Sequence, residues 1–428
     1  MCGRGKTSWA IQYMNEHPEM SFIYVTPLLN EVDRIKDNTS IGFVEPEFRG
    51  KRKIDDFNSL LCEGANIATT HSTFANSTEE TVEYLRKGQY VLFLDEVMDV
   101  VVPFNNLCEH VSHQIRRGDI KLLLDKKLIE ADEYGRVSWI GESYEDCNYQ
   151  TVEKMARRGN LILVNDALFL WEFPLDIFMA FKEVYVLTYL FDGSQMKPFF
   201  GYHELPYTLH NVIQEDGLYK LIDYVADDAA KEEYRSLIHF PVPPESKLNE
   251  YKAFTLSKKW YTNKIKNKNS PDAKQLRNHI ENFVRHITKA KASEVMWSCP
   301  KDYSTYLKGK GYSQIRRLTD QEKSLSQREK DKLKSQTECF VPCNARATND
   351  YRSRTVLAYC NNMYSNPNLA RFFEKKGVGM DDDAFALSCL IQWIWRSAIR
   401  DGKEISLYIP SVRMRSLFQT WLGLTPAK

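Results

Sequence analysis

The strongest chemical signal lies in the first eight residues. Gly3-Arg4-Gly5-Lys6-Thr7-Ser8 matches the end of the phosphate-binding pattern G-x-x-x-x-G-K-S/T. Gly3 and Gly5 let backbone N–H groups turn inward around phosphates, and a helix opening at Ser8 adds its positive N-terminal end. In that pattern Lys6 reaches the β and γ phosphates of ATP, and the Thr7 hydroxyl binds Mg²⁺. The pattern's first glycine would fall immediately before Met1, and so would the strand that leads into the loop, so the motif is read as truncated. About ninety residues on, four apolar residues run into Asp95-Glu96. A carboxylate pair at a strand end suits a metal ligand, Asp95, beside a base that polarises water, Glu96.

These groups need a scaffold. Ser21–Val25 is a short β-branched and aromatic run followed by Thr26-Pro27 and a helical stretch to about Asp37. A second run, Asn66–Thr69, ends in Thr70-His71-Ser72, and a third, Tyr90–Leu94, ends at Asp95. Parallel strands ending on polar residues along one edge describe an open α/β nucleotide fold. Val184–Phe191 is a further strand, with Thr188 near its end, and Glu294–Ser298 and Thr355–Tyr359 are strands of a second domain. Gln392, Arg396 and Arg400 are spaced i, i+4, i+8, which predicts one face of a helix.

Composition sets the outer bounds. The chain has 428 residues, 43% apolar and 27% charged, enough for two or three domains and ordinary for a globular protein. Its 58 basic and 57 acidic side chains leave a net charge of +1, which excludes a uniformly basic nucleic-acid coat. The charge is segregated, however: residues 251–350 hold 22 basic and 10 acidic side chains. That stretch suits a phosphate backbone, although a mixed run such as 327–334 equally describes a solvated helix face. Nine scattered cysteines predict reduced thiols and a cytoplasmic location, in a bacterial host if the chain is phage-encoded. Cys108, His110 and His113 lack a fourth ligand, so no zinc site is expected there. Asp381-Asp382-Asp383 precedes an apolar helix and is read as N-terminal charge complementarity rather than a metal site.

Taken together, the motifs resemble those of superfamily-2 helicases, the DEAD/DEAH-like group, in the form carried by bacteriophages and mobile elements. The resemblance covers nearly the whole chain. It implies an α/β fold of two RecA-like P-loop NTPase domains with parallel sheets, plus a mainly helical insertion. The first domain is expected over residues 1–207 with the insertion at about 103–158, a connector over 208–271, and the second domain over 272–428. ATP and Mg²⁺ are the implied cofactors. Thr26-Pro27 and Thr70-His71-Ser72 resemble motifs Ia and Ib, which meet nucleic-acid backbone. Thr188 resembles the coupling motif III, and Asn349 lies in the loop resembling motif V. Gln392, Arg396 and Arg400 resemble motif VI, the source of an arginine finger; relatives place the second arginine seven residues after the glutamine, where Ile399 stands.

The implied activity is ATP-dependent movement along a nucleic acid, DNA before RNA, in replication or recombination of a phage or mobile element. Two other readings compete with it. The truncated loop would suit an ATPase-impaired nucleic-acid-binding remnant. A phage DNA-packaging ATPase shares the phosphate loop and paired carboxylates, but carries a nuclease after its motor, where this chain offers arginines.

Overall fold

The computed structural model describes residues 5–425 except 49, 51, 108–113, 143–148, 227, 244–245, 250–254, 314–317, 328, 331–332, 334–337 and 344–349. The chain divides into two compact units. One takes Gly5–Asp223 and Ser365–Asp381; the other takes Tyr224–Tyr364 and Asp382–Lys428.

The first unit opens with helix α1 (Lys6–Glu16), strand β1 (Phe22–Thr26) and helix α2 (Leu29–Asn38). The short strand β2 (Phe43–Val44), helix α3 (Lys53–Cys62) and strand β3 (Asn66–Thr70) follow, then helices α4 (His71–Phe74) and α5 (Glu79–Gly88) and strand β4 (Val91–Asp95). An inserted segment comes next. It holds β5 (Val101–Pro103), a helix Arg117–Asp125, the hairpin β6 (Ile129–Ala131) and β7 (Val137–Trp139), a helix Gln150–Arg157, and the pair β8 (Leu161–Val164) and β9 (Leu168–Glu172). Strand β10 (Glu183–Leu187) returns to the main sheet, and β11 (His210–Glu215) and β12 (Leu218–Asp223) form a hairpin.

The main sheet is parallel, in the order β10-β4-β1-β3-β2. Its central strands read as unbroken apolar runs because both faces are covered. Phe22, Tyr24, Val91 and Phe93 pack with Trp9, Ala10 and Met14 of α1. Ile23, Val25, Leu92 and Leu94 pack on the opposite side with Phe57, Leu61, Phe74 and Leu85. Each large side chain so buried contributes roughly 1.5–3 kcal/mol, so the two-sided core fixes strand register firmly. Register then decides chemistry: Val25 pairs with Leu94 and Thr69, Thr26 with Thr70, and Leu187 with Asp95. The polar ends of four strands are thereby brought level on one edge.

The insert has its own core of Ile120, Leu123, Val137, Trp139, Val152, Leu161 and Phe169. Glu172 is buried and receives both Arg136 at 2.9 Å and His203 at 3.1 Å, which ties the insert's hairpin to the helix Met196–Tyr202.

The second unit is also built on a parallel sheet, β13 (Ile238–His239), β14 (Val295–Ser298), β15 (Val356–Tyr359) and β16 (Ile405–Tyr408), in the order β13-β16-β15-β14. A helix Pro271–Asn282 runs on as a π-helical turn over Phe283–Ile287. Trp297, Tyr261, Phe283 and Tyr312 are fully buried in its core.

The units do not follow the expected segmentation. The 208–271 stretch is divided between the units: its β11–β12 hairpin packs on α1 through Val212 and Tyr219, and the chain enters the second unit at Tyr224. Residues 365–381 then return to the first unit, because Leu369, Phe372 and Phe373 of the helix Pro367–Lys375 are buried in its core.

Candidate active site

The site grows from the N-terminus of α1. Gly5 is its N-cap residue, at φ 81, a left-handed conformation that costs an L side chain about 1–2 kcal/mol. No side chain caps this helix and its first turn carries no acid, so its positive end is not neutralised from within. Trp9 holds α1 down, with ring centroids 5.8 Å from Phe93 and 5.3 Å from Tyr185. The β11–β12 hairpin clamps it from the side. Tyr219 N–H donates to Gln12 Oε1 at 2.8 Å, Gln12 Nε2 donates back to the Tyr219 carbonyl at 3.2 Å, and the Tyr219 ring lies where a Gly5 Cβ would stand.

Opposite Lys6 and Thr7 stands the end of β4. Thr26 Oγ1 lies 3.5 Å from Asp95 Oδ2, the outer edge of hydrogen-bond range. His71 Nε2 donates to the Asp95 carbonyl at 3.0 Å, tying the end of β3 to the end of β4. The Asp95 carboxyl is pushed up to about 7, first by burial, then by Glu96 and Glu31, with Lys6 and the Tyr24 hydroxyl pulling the other way. The next residue, Glu96, is held at φ 62; its N–H donates to the Leu187 carbonyl at 3.2 Å, and Thr188 Oγ1 lies 3.5 Å from its Oε2. A left-handed glutamate ending a buried strand is strain of the kind that gathers at functional sites.

Four expected residues, Lys6, Thr7, Asp95 and Glu96, therefore belong to one sheet edge, with Ser8 on the same first turn of α1. Thr26 and Thr188 join them through the carboxylates. Thr70 acts instead as N-cap of α4, its hydroxyl accepting from Thr73 N–H at 3.4 Å, and Ser72 is exposed beside the half-buried His71. Pro27 is half-buried at the start of the turn into α2. Gly3 and Asn349 lie outside the described residues.

The expected single helical face for Gln392, Arg396 and Arg400 is not formed. The helix spans Asp382–Ile394, so only Gln392 lies on it. Trp393, Ile394 and Trp395 are three consecutive bulky side chains, all buried, and a continuing helix would turn at least one of them to solvent. The chain leaves the helix instead. Ser397 adopts extended dihedrals, and its hydroxyl donates to the Ile394 carbonyl at 2.7 Å. Arg396 is buried, and Arg400 is exposed on the 3₁₀ turn Ala398–Asp401. Asp382 and Asp383 do open an apolar helix, and Asp383 also accepts from Arg413 Nη2 at 2.7 Å.

Two contributors could not be assigned from sequence. Tyr24 reads as core, yet its hydroxyl faces Thr7 and Asp95. Gln195 pins the turn after β4, donating to Asp99 Oδ1 at 2.6 Å and accepting from Val101 N–H at 2.9 Å. Among the described residues no group of three or more His, Cys, Asp or Glu side chains forms a metal cage. The donor set of Thr7 hydroxyl and Asp95 carboxylate instead suits Mg²⁺, which keeps several waters and takes one or two protein oxygens plus phosphates. None of the described cysteines is in a disulfide, and no helix of the described chain is long and apolar enough to cross a membrane.

With this geometry established, comparison with known proteins is informative. The SPbeta prophage-derived uncharacterized protein YonV of Bacillus subtilis (strain 168) is 35% identical over 435 aligned positions, covering 98% of this chain and 96% of that protein. The chain belongs to the YonV family. The YonV middle domain matches residues 109–171, which lie in the insert, and the YonV C-terminal Rossmann-like domain matches residues 232–422, most of the second unit. Among solved structures, apo XPD is similar with a TM-score of 0.50 at 12% identity, over 99% of this chain and 94% of that one. A second XPD helicase structure gives a TM-score of 0.48 at 12% identity. The apo XPD likeness concerns fold alone: a mixed α/β chain with parallel sheets and Rossmann-like domains.

Proposed function

We propose that this chain is an ATP-dependent nucleic-acid helicase or translocase, acting on DNA before RNA. One observation carries the reading: an uncapped helix N-terminus bearing Lys6 and Thr7 shares a sheet edge with the Asp95-Glu96 pair. The helix end and Lys6 bind the phosphates of ATP. Thr7 and Asp95 hold Mg²⁺, which neutralises phosphate charge when bound. Glu96 takes the proton of the attacking water, its carboxylate oriented by Thr188 and by the strained backbone that presents it. Ser72 and Pro27 take the phosphate-backbone role of motifs Ib and Ia, and the exposed Arg400 takes the role of stabilising transition-state charge. His71 acts as a link between strand ends, placed to make occupancy of one edge felt at the other.

The helicase-like fold and the prophage relative support this reading. Its test is the ATP hydrolysis rate with single-stranded DNA, duplex DNA and RNA, for the native chain and for Lys6→Ala. Loss of nucleic-acid-stimulated hydrolysis in the variant is expected. Undiminished turnover by Lys6→Ala would overturn the site.

A further inference from the structure

Tyr24 is fully buried in the middle of β1, yet its hydroxyl makes no well-formed hydrogen bond and only approaches Thr7 and Asp95. The ring has an ordinary reason to be there: it packs against Phe93, with centroids 6.4 Å apart, in the cluster that seats α1. The hydroxyl has none. Phe22 and Phe93 do the same packing in the same cluster without one. A buried hydroxyl without a well-formed hydrogen bond is costly, so a core position would favour phenylalanine. The oxygen faces the side chains of Thr7 and Asp95, with Glu31 and Arg34 of α2 as its other charged neighbours. Thr7 and Asp95 are the residues to which the proposed function gives Mg²⁺.

We propose that Tyr24 is a positioning residue of that site. Its hydroxyl holds Thr7 and Asp95 in their metal-binding arrangement, and its loose contacts with them tighten into full hydrogen bonds in the loaded site. The inference rests on the nucleotide reading and deepens it. A buried O–H placed beside two oxygen ligands of a hydrated cation is positioned to orient both of them when that cation binds. Its effect is confined to the metal-dependent part of binding, since nothing places it against the phosphates that Lys6 and the end of α1 receive.

The test is Tyr24→Phe, which keeps the ring and removes only the hydroxyl. Two measurements are made on the full chain: thermal unfolding without ligand, and calorimetric binding of a non-hydrolysable ATP analogue with Mg²⁺ and with EDTA. The expected result is an empty protein as stable as the native one or more so, about fivefold weaker binding in Mg²⁺, and unchanged binding in EDTA. Equal affinities in Mg²⁺ would overturn the proposal and leave the nucleotide site standing. A loss of stability in the empty variant would also overturn it, because the hydroxyl would then be partnered within the fold. If the native chain binds the analogue no better than Lys6→Ala, the nucleotide reading fails and this inference with it.

Discussion

Replacing Asp95 by Asn should stabilise the empty protein at alkaline pH while destroying its response to Mg²⁺ and nucleotide. The carboxyl titrates at about 7 in the fold against 3.8 in an unstructured chain, chiefly because it is buried, with Glu96 and Glu31 adding repulsion. The sign follows from proton counting. Between these two values the folded state holds the proton and the unfolded chain does not, so stability falls as pH rises. Above the folded value the full penalty applies, on the order of 4 kcal/mol. Between pH 5 and pH 8 the native protein should lose about 3 kcal/mol relative to Asp95→Asn. A constant change in packing by the amide shifts both ends of that comparison equally, so the slope is the diagnostic. Calorimetric scans at pH 5, 6, 7 and 8 without divalent metal measure it. In a domain this size each kcal/mol shifts the transition by about 2–4 °C, so the gap should widen by several degrees. With Mg²⁺ and ATP analogue the order reverses, because only the native carboxylate is rewarded by the cation. A gap that does not vary with pH would refute the claim that burial of Asp95 strains the empty site.

Two further changes probe the same edge. Glu96→Gln should bind ATP with native affinity in a filter assay yet hydrolyse it at least about a hundredfold more slowly, since the amide takes no proton from water; comparable turnover would remove Glu96 from the role of base. Gly5→Ala should destabilise the first unit by more than the 1–2 kcal/mol or so of its left-handed backbone, because its Cβ would lie 2.2 Å from Tyr219 Cε1. Adding Tyr219→Ala should recover the steric part but not the backbone part, and strictly additive losses in the double-mutant cycle would refute the clamp.

Most of the scaffold was legible because parallel strands covered on both faces leave unbroken apolar runs. Ser21–Val25, Tyr90–Leu94 and Glu294–Ser298 each declare a strand without any partner in view. The polar residues at their ends were legible for the same reason, since a carboxylate pair after four buried residues marks an edge. The β11–β12 hairpin carried a readable signal, Asp216-Gly217 at φ 52 and 82, the two-residue turn that joins antiparallel strands. It is obscured by exposure, which weakens the alternation of the flanking strands. The return of residues 365–381 to the first unit is a long-range packing choice, and no local pattern encodes where Phe372 and Phe373 will be buried. The helix end at Ile394 was a matter of weighing two local rules. An i, i+4, i+8 spacing of polar residues argues for continuation, whereas Trp393-Ile394-Trp395 demands burial in three directions, and burial carries more free energy than a solvated arginine face.

Several local costs of the first unit, though not all of them, gather near the sheet edge that carries Asp95. Gly5 and Glu96 stand in left-handed backbone, Asp95 is a carboxyl pushed toward neutrality, and the Tyr24 hydroxyl makes no well-formed hydrogen bond. Other buried groups of that unit are answered: Glu172 has both Arg136 and His203, and the Asn58 amide oxygen accepts from the Thr81 hydroxyl at 2.7 Å. The unanswered ones differ in chemistry but agree in what would answer them. A helix N-terminus would accept an anion, a buried carboxyl facing Lys6 would accept a further cation, and a hydroxyl beside Thr7 and Asp95 would complete its hydrogen bonding. One occupant of mixed charge, a polyphosphate with its divalent metal, would suit all three at once. Where such exceptions share one sheet edge, they favour the proposed nucleotide reading, because one ligand would suit them together.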